Sequence, residues 1–292
     1  MRFVTFRLGS ELGLASEHEG MLRGLTSSDP DYPGLLDLLV ANGMDALRKA
    51  DAVLSRGREL APAAITFLPP LSQPSKIICV GLNYSEHSKE SGFTQPDYPT
   101  LFARFPSSLI GHGADMIAPS FSDTLDFEGE LVAVIGRGGR GIPKASALDH
   151  VIGYSVFNDG SVREYQFKSP QWTMGKNFDD TGAFGPAFVT ADELPPGARG
   201  LKLETRLNGR VVQAASTDDL VFDVATLVST ISDAITLAPG DIIVTGTPSG
   251  VGHSRTPKLY MQPGDVCEVE VERVGLLRNT IAAQPGSMTA AA

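Results

Sequence analysis

The stretch LDFEGELVAVIG, Leu125 to Gly136, decides how this chain is read. Residues two apart in a strand share a face, so Glu128 and Glu130 project together, with Asp126 on the same side further back. From Leu131 the segment turns wholly apolar, as a strand entering a core does. The acids therefore stand at the mouth of a buried strand, where like charges repel and desolvation adds to the cost. A divalent cation resolves that conflict. Asp159 ends the next apolar strand, VIGYSVFND, and comes close if the two strands pair. Three carboxylates with no cysteine or histidine partner make an all-oxygen site, which favours Mg²⁺ or Mn²⁺, with Ca²⁺ as a further candidate, over zinc. The competing reading is a solvated strand face, of which Glu268, Glu270 and Glu272 are an example in this same chain. Spacing alone leaves both open.

Outward from that segment the pattern is mainly β with a few helices. Leu131–Ile135 and Val151–Phe157 read as buried strands, while Cys267, Val269 and Val271 alternate with Glu268, Glu270 and Glu272 as a half-solvated strand should. One helix is well marked: Asp223 is its N-cap, Val224, Leu227, Val228, Ile231 and Ile235 give the apolar stripe, and Pro239-Gly240 stops it. Near the start, Phe3–Phe6 and Leu12–Ala15 read as strands. Leu35, Leu36, Leu38 and Leu39 line a helix face, and Ala46–Leu54 offers a second short helix. LPPLSQPSK, Leu68 to Lys76, is a linker, because proline neither continues a helix nor donates to a sheet. The expected division is a small N-terminal α/β module over 1–72, a catalytic unit over 73–284 and a flexible tail over 285–292.

The 292 residues are 42% hydrophobic and 20% charged, the balance of an ordinary globular protein with a real core. Basic residues number 24 against 34 acidic ones, a net charge of -10, which argues against partners such as nucleic acid or an anionic membrane and for a small molecule. The two cysteines, Cys79 and Cys267, sit inside apolar or alternating runs and read as free, packed thiols. Arg2 and Arg7 interrupt the apolar start, and no segment has the apolar length to span a bilayer, so the expected location is cytoplasmic.

After strand Ile77–Val80 comes GLNYSEHSKESG, in which His87 and Glu90 are neighbours on one helical turn. A carboxylate beside a histidine fixes its tautomer and raises its basicity, as general-base work requires, although such a pair alone reads first as an exposed polar helix. The combination is more specific. VGLNYSEHSKE, the E-x-E of LDFEGELVAVIG, NDGSVREYQ, MGKNFDDTGAFGP and TGTPSGVG, in this order, resemble the fumarylacetoacetate hydrolase superfamily from about Lys76 to Ile281, in the manner of a bacterial acylpyruvate hydrolase with a small N-terminal domain.

That resemblance implies an α+β, mainly β fold, a mixed β-sandwich roll, forming a homodimer. It implies metal ligands Glu128, Glu130 and Asp159, and a catalytic dyad of His87 and Glu90 on a lid segment. Lys176 would stabilise developing negative charge, with Arg163, Gln166 and Thr247 near the substrate. Gly160 and Val162 depart from the family pattern and leave the pocket's shape open. The implied reaction is metal-dependent cleavage of the C3–C4 bond of an acylpyruvate, giving pyruvate and a carboxylic acid, in aromatic catabolism. The alternatives are decarboxylation of oxaloacetate, keto–enol or double-bond isomerisation or hydration of a 2-oxo acid, and a non-catalytic metal- or acid-binding protein.

GRGGRG, Gly136 to Gly141, formally fits a dinucleotide fingerprint, but Ile142-Pro143 interrupts the helix such a site needs, so it reads as a strand connection. His112 and His253 lie in glycine-rich loops and are unassigned. His150 reads as a surface residue at a helix end, and Tyr165 and Trp172 read as packing aromatics.

Overall fold

The structure, a computed structural model, describes residues 1–90, 92 and 94–285. Beyond Pro285, the expected tail lies outside the described residues. Two sheets dominate, as the strand-rich pattern requires. The larger, mixed sheet runs in the order Arg58–Leu60, Met21–Thr26, Glu11–His18, Arg2–Leu8, Gly182–Thr190, Val151–Asp159, Gly129–Ile135, Ile242–Val244, Ile77–Gly81, Thr100–Arg104. The smaller is built from Arg210–Ser216, Lys202–Leu207, Val266–Val271, Gly275–Ala283 and Met116–Ala118. The first 72 residues extend the larger sheet, since Arg2 pairs with Val189 and Phe3 with Phe188.

Gly129–Ile135 shows why its sequence is an unbroken apolar run. Leu131, Ala133 and Ile135 point into the core shared with the smaller sheet and helix Val224–Ala234. Val132 and Val134 point the other way, into a second core capped by helices Leu36–Ala41 and Met44–Leu54. A strand buried on both faces has no solvent side on which to place polar residues. In the helices, Leu36, Leu39 and Val40, then Leu47, Ala50 and Leu54, face this core, while Leu38 is exposed.

Pairing brings the site together. Gly129–Ile135 runs antiparallel to Val151–Asp159 and to Ile242–Val244, and the latter runs parallel to Ile77–Gly81. The segments that carry Glu128, Asp159, Thr245–Gly250 and Leu82–Glu90 therefore all emerge at one end of the sheet.

Two local expectations change. The helix starts where Asp223 accepts from the Thr226 N–H at 2.8 Å, but ends at Ala234, with Ile235 as its extended cap, before Pro239-Gly240. The chain leaves early because Leu237 and Gly139 exchange two backbone hydrogen bonds, which also makes Gly136–Gly141 a paired connection and no helix start. His150 is buried, its Nδ1 against the Arg137 carbonyl at 2.8 Å and its Nε2 against Arg137 Nη2 at 3.0 Å. Cys79 and Cys267 are free and buried, as expected, and burial pushes the Cys267 thiol up to about 12.

Gly129 separates the two glutamates where the sheets meet most tightly: a Cβ there would lie 2.2 Å from Thr205 Oγ1 and 2.9 Å from Val269 Cγ1. Gly129→Ala is expected to lower stability by about 1–3 kcal/mol through overpacking. The midpoint of urea unfolding measures it, and an unchanged midpoint would show that the sheets part freely here.

Candidate metal centre and active site

Glu128, Glu130 and Asp159 are buried, and each offers a carboxylate oxygen so placed that all lie within 4.8 Å of one another. The strand pairing predicted from sequence achieves this: the Asp159 N–H donates to the Glu128 carbonyl at 2.8 Å. A buried donor set made only of carboxylate oxygens fits a hard divalent ion such as Mg²⁺ or Mn²⁺.

Asp126 does not join them. Leu125–Asp126 is a separate short strand paired with Ser161–Val162, so the face-sharing expected across Asp126, Glu128 and Glu130 is lost at Phe127. The Asp126 carboxylate instead accepts from the N–H groups of Gly252 and His253, each at 2.8 Å, and pairs with Arg163 Nε at 2.9 Å.

Buried cations answer the acids. Lys176 Nζ donates to Glu128 Oε2 at 2.6 Å and to Asp159 Oδ2 at 2.7 Å. Arg163 Nη2 lies 2.7 Å from Glu128 Oε1. Arg104, absent from the sequence expectations, is fully buried and pairs with Asp159 Oδ1, while its other N–H groups reach the Gly160 carbonyl, Thr181 and Ser108. The side chain fits only because residue 182 is glycine, where a Cβ would sit 2.8 Å from Arg104 Nη2. Burial alone would raise the Glu128 carboxyl, but Lys176 and Arg163 overcome it and hold the group at about 2. Burial likewise works against the Lys176 ammonium, and Asp159 and Glu128 more than restore it. Glu130 has no ion-pair partner among the described residues and accepts the Gly246 N–H. Its burial, with Asp159 and Glu128 close by, pushes its carboxyl well above the usual range.

His87 sits on helix Ser85–Glu90, 7% exposed. Its Nδ1 is 3.0 Å from Glu90 Oε1, and both Glu90 oxygens accept the Gly250 N–H at 2.9 Å. Since an ionised carboxylate only accepts, Nδ1 carries the hydrogen and Nε2 is left basic. A cavity of about 240 Å³ joins His87 to Glu128, Glu130 and Lys176. Its other polar lining is Arg163, Gln166, Thr247, His253 and Ser254, and its apolar wall includes Leu82, Phe102, Phe167, Trp172 and Val251. Of the residues expected near substrate, Gln166 accepts from Arg163 Nη1 at 2.8 Å, and the Thr247 hydroxyl is spent on the Gly129 carbonyl and Gln213. Trp172 lines the cavity edge-on to Phe102, whereas Tyr165 packs against Phe121 and Phe178 outside it. His112 packs on Phe67 and accepts the Arg278 N–H, and has no part in the site.

Residues 76–282 match the fumarylacetoacetate (FAA) hydrolase C-terminal family. The chain belongs to the fumarylacetoacetate hydrolase family. It is 36% identical over 288 residues to a human mitochondrial oxaloacetate tautomerase, FAHD2A, covering 96% of this chain and 91% of that protein. It is 44% identical over 224 residues to an uncharacterised Archaeoglobus fulgidus protein, covering 77% of this chain and 85% of that one. Among solved structures, a fumarylacetoacetate hydrolase from Exiguobacterium antarcticum superposes with a TM-score of 0.86 at 34% identity, covering 97% of this chain and all of that one. A maleylpyruvate hydrolase from Sphingobium sp. SYK-6 superposes with a TM-score of 0.79 at 27% identity, over 97% of this chain and 100% of that one. The resemblance carried by the five motifs and the mainly β, α+β fold are thus both confirmed. Among the described residues, no helix is long and apolar enough to cross a membrane.

Glu130 makes a testable contribution to stability. A buried carboxyl raised above its ordinary value stabilises the fold fully below that value and loses the contribution as pH rises toward the folded-state value. Without metal, Glu130→Gln should therefore match the parent near pH 5 and exceed it by about 1–3 kcal/mol near pH 8. Urea unfolding in EDTA at the two pH values measures this, and a variant no more stable at the higher pH would show that Glu130 is compensated by another group.

Proposed function

We propose that this chain catalyses metal-dependent keto–enol interconversion of a small 2-oxo acid of the oxaloacetate type. The observation that carries the reading is the histidine, oriented by Glu90, opening into the cavity lined by Glu128 and Glu130 of the three-carboxylate cluster. The oxaloacetate tautomerases among the relatives support this reading over the C3–C4 hydrolysis expected from sequence.

Glu128, Glu130 and Asp159 would hold Mg²⁺ or Mn²⁺. When bound, the ion supplies Lewis acidity to a 2-oxo group and its neighbouring carboxylate, acidifying the C3 hydrogens. His87 Nε2 takes a proton from C3, and Glu90 stabilises the imidazolium that forms. The same nitrogen returns the proton to the enolate oxygen, which completes the tautomer. Two of the three Lys176 N–H donors are committed to Glu128 and Asp159, so one is left for developing negative charge on the substrate. Arg163, fixed by Asp126, Glu128 and Gln166, presents a guanidinium of set orientation to the cavity. Phe102, Trp172 and Leu82 exclude bulk water from this exchange.

A specific observation favours a second reading, acylpyruvate cleavage to pyruvate and a carboxylic acid. The apolar wall of Phe102, Phe167 and Trp172 offers an acyl tail a surface that oxaloacetate would not use. There His87 would activate water for attack at C4. Under either reading we propose a cytoplasmic homodimer, with 1–72 as a module appended to the catalytic unit 73–284. The exposed Phe105, Phe121 and Met174 suit a subunit contact.

The test follows the enol absorbance of oxaloacetate with Mg²⁺ or Mn²⁺ and then with EDTA, beside acetylpyruvate and fumarylpyruvate assayed for pyruvate release. Metal-dependent loss of enol-oxaloacetate without pyruvate is the expected result. Pyruvate release from the acylpyruvates alone would establish the second reading, and ligand binding without turnover would make the chain a binding protein. His87→Ala and Glu90→Ala should each keep metal affinity and lose about 10²–10⁴ in rate. Unchanged rates would remove that residue from the mechanism.

A further inference from the structure

The turn Gly252–Ser254 brings to the cavity two polar side chains that this proton transfer does not use. His253 and Ser254 both line it. The turn is pinned from below, because the Asp126 carboxylate that binds Arg163 Nε also takes the N–H groups of Gly252 and His253. Its path leaves no room at Gly252, where a Cβ would meet the Leu259 carbonyl oxygen at 1.7 Å. The His253 ring lies between two aromatic neighbours, Phe167 at 5.1 Å and Tyr260 at 6.3 Å between centroids. Its Nδ1 is 2.8 Å from the Tyr260 hydroxyl, while Nε2 has no hydrogen-bond partner among the described residues. The Ser254 Oγ is buried and also has none, a cost that a bound oxygen would remove.

The surroundings fix the chemistry of what would bind. Burial, then Lys258 and Arg163, hold the His253 imidazole below the usual histidine range, so the ring is neutral. In the tautomer that an anionic ligand selects, the Tyr260 hydroxyl donates to Nδ1 and the remaining hydrogen sits on Nε2. Two adjacent neutral donors beside the positive charge of Arg163 suit an anionic oxygen acceptor. At the turn itself a cation would find no carboxylate free, since Asp126 is saturated by Arg163 and the backbone of the turn.

We propose that His253 and Ser254 form a subsite for a second carboxylate on the substrate, remote from the metal-chelating end, and so make the enzyme prefer 2-oxo diacids to 2-oxo monoacids. The proposal rests on the assignment of a 2-oxo acid to this cavity and adds the residues that select among such acids.

Oxaloacetate and 2-oxobutanoate are the probes, because the second differs by a methyl group in place of the distal carboxylate. Their dissociation constants are measured by calorimetry on the Mn²⁺-loaded protein, in the parent, His253→Leu, His253→Gln, Ser254→Ala and Tyr260→Phe. The parent should favour oxaloacetate by about tenfold or more. His253→Leu should erase most of that preference and Ser254→Ala about threefold of it, with 2-oxobutanoate affinity unchanged. The glutamine variant, which keeps an N–H donor near the position of Nε2, should restore part of the preference, and Tyr260→Phe should fall between parent and leucine. Equal affinities in the parent, a preference that survives His253→Leu, or an equal loss for both ligands would overturn the subsite. A protein that keeps the preference but does not interconvert keto and enol forms would sink the proposed reaction and leave the subsite standing.

Discussion

Four buried carboxylates, Asp126, Glu128, Glu130 and Asp159, face three buried cations, Arg104, Arg163 and Lys176, at one end of the larger sheet. Each ion costs several kcal/mol to desolvate unless it is paired and hydrogen-bonded, so no member of the cluster can be placed independently of the rest. Arg104 and Lys176 hold the two oxygens of Asp159, and Lys176 and Arg163 hold those of Glu128. Glu130 alone is left without a cation among the described residues. On the proposed reading, a divalent ion supplies the charge that the protein withholds from Glu130 and makes the cluster attractive to an anionic substrate.

The sheet supplies the rigidity that such a cluster needs. Its central strands are buried on both faces, between the smaller sheet and the two short helices, so the ends that carry the acids cannot shift without opening a core. The groups that the proposed function uses for proton exchange and ligand contact sit elsewhere, on the short helix Ser85–Glu90 and the turn Gly252–Ser254. Carboxylates tie both back: Glu90 accepts the Gly250 N–H, and Asp126 accepts the N–H groups of Gly252 and His253. His87, through Glu90, and the turn Gly252–Ser254 are thus both held at the same short stretch of chain, residues 250–254.

Much of this was legible before the fold was known. Glu128, Glu130 and Asp159 announce themselves because acids rarely adjoin wholly apolar strands, and the His87–Glu90 spacing is local to one helical turn. Arg104 was not legible: TLFARF is an ordinary strand sequence, and its partner Asp159 is 55 residues away. Asp126 was misplaced because strand alternation was carried through Phe127, where the chain changes partners. His150 is buried through a contact to Arg137 that local pattern does not encode, and His253 lies in a glycine-rich loop whose neighbours, Phe167 and Tyr260, come from other segments. Periodicity encodes the buried strands, but it does not encode where a strand changes partners, where a helix is cut short by a distant pairing, or how buried charges close over long range.

The claim on which everything else stands is that the carboxylate cluster is a metal site and not a self-neutralised structural knot. Titration of Mn²⁺ into metal-free protein, followed by the loss of the free-ion electron paramagnetic resonance signal, tests it most directly. The account predicts a single tightly bound Mn²⁺ per chain, lost in Asp159→Asn although that variant still folds. A parent protein that leaves Mn²⁺ free, or an Asp159→Asn variant that binds it equally well, would contradict it.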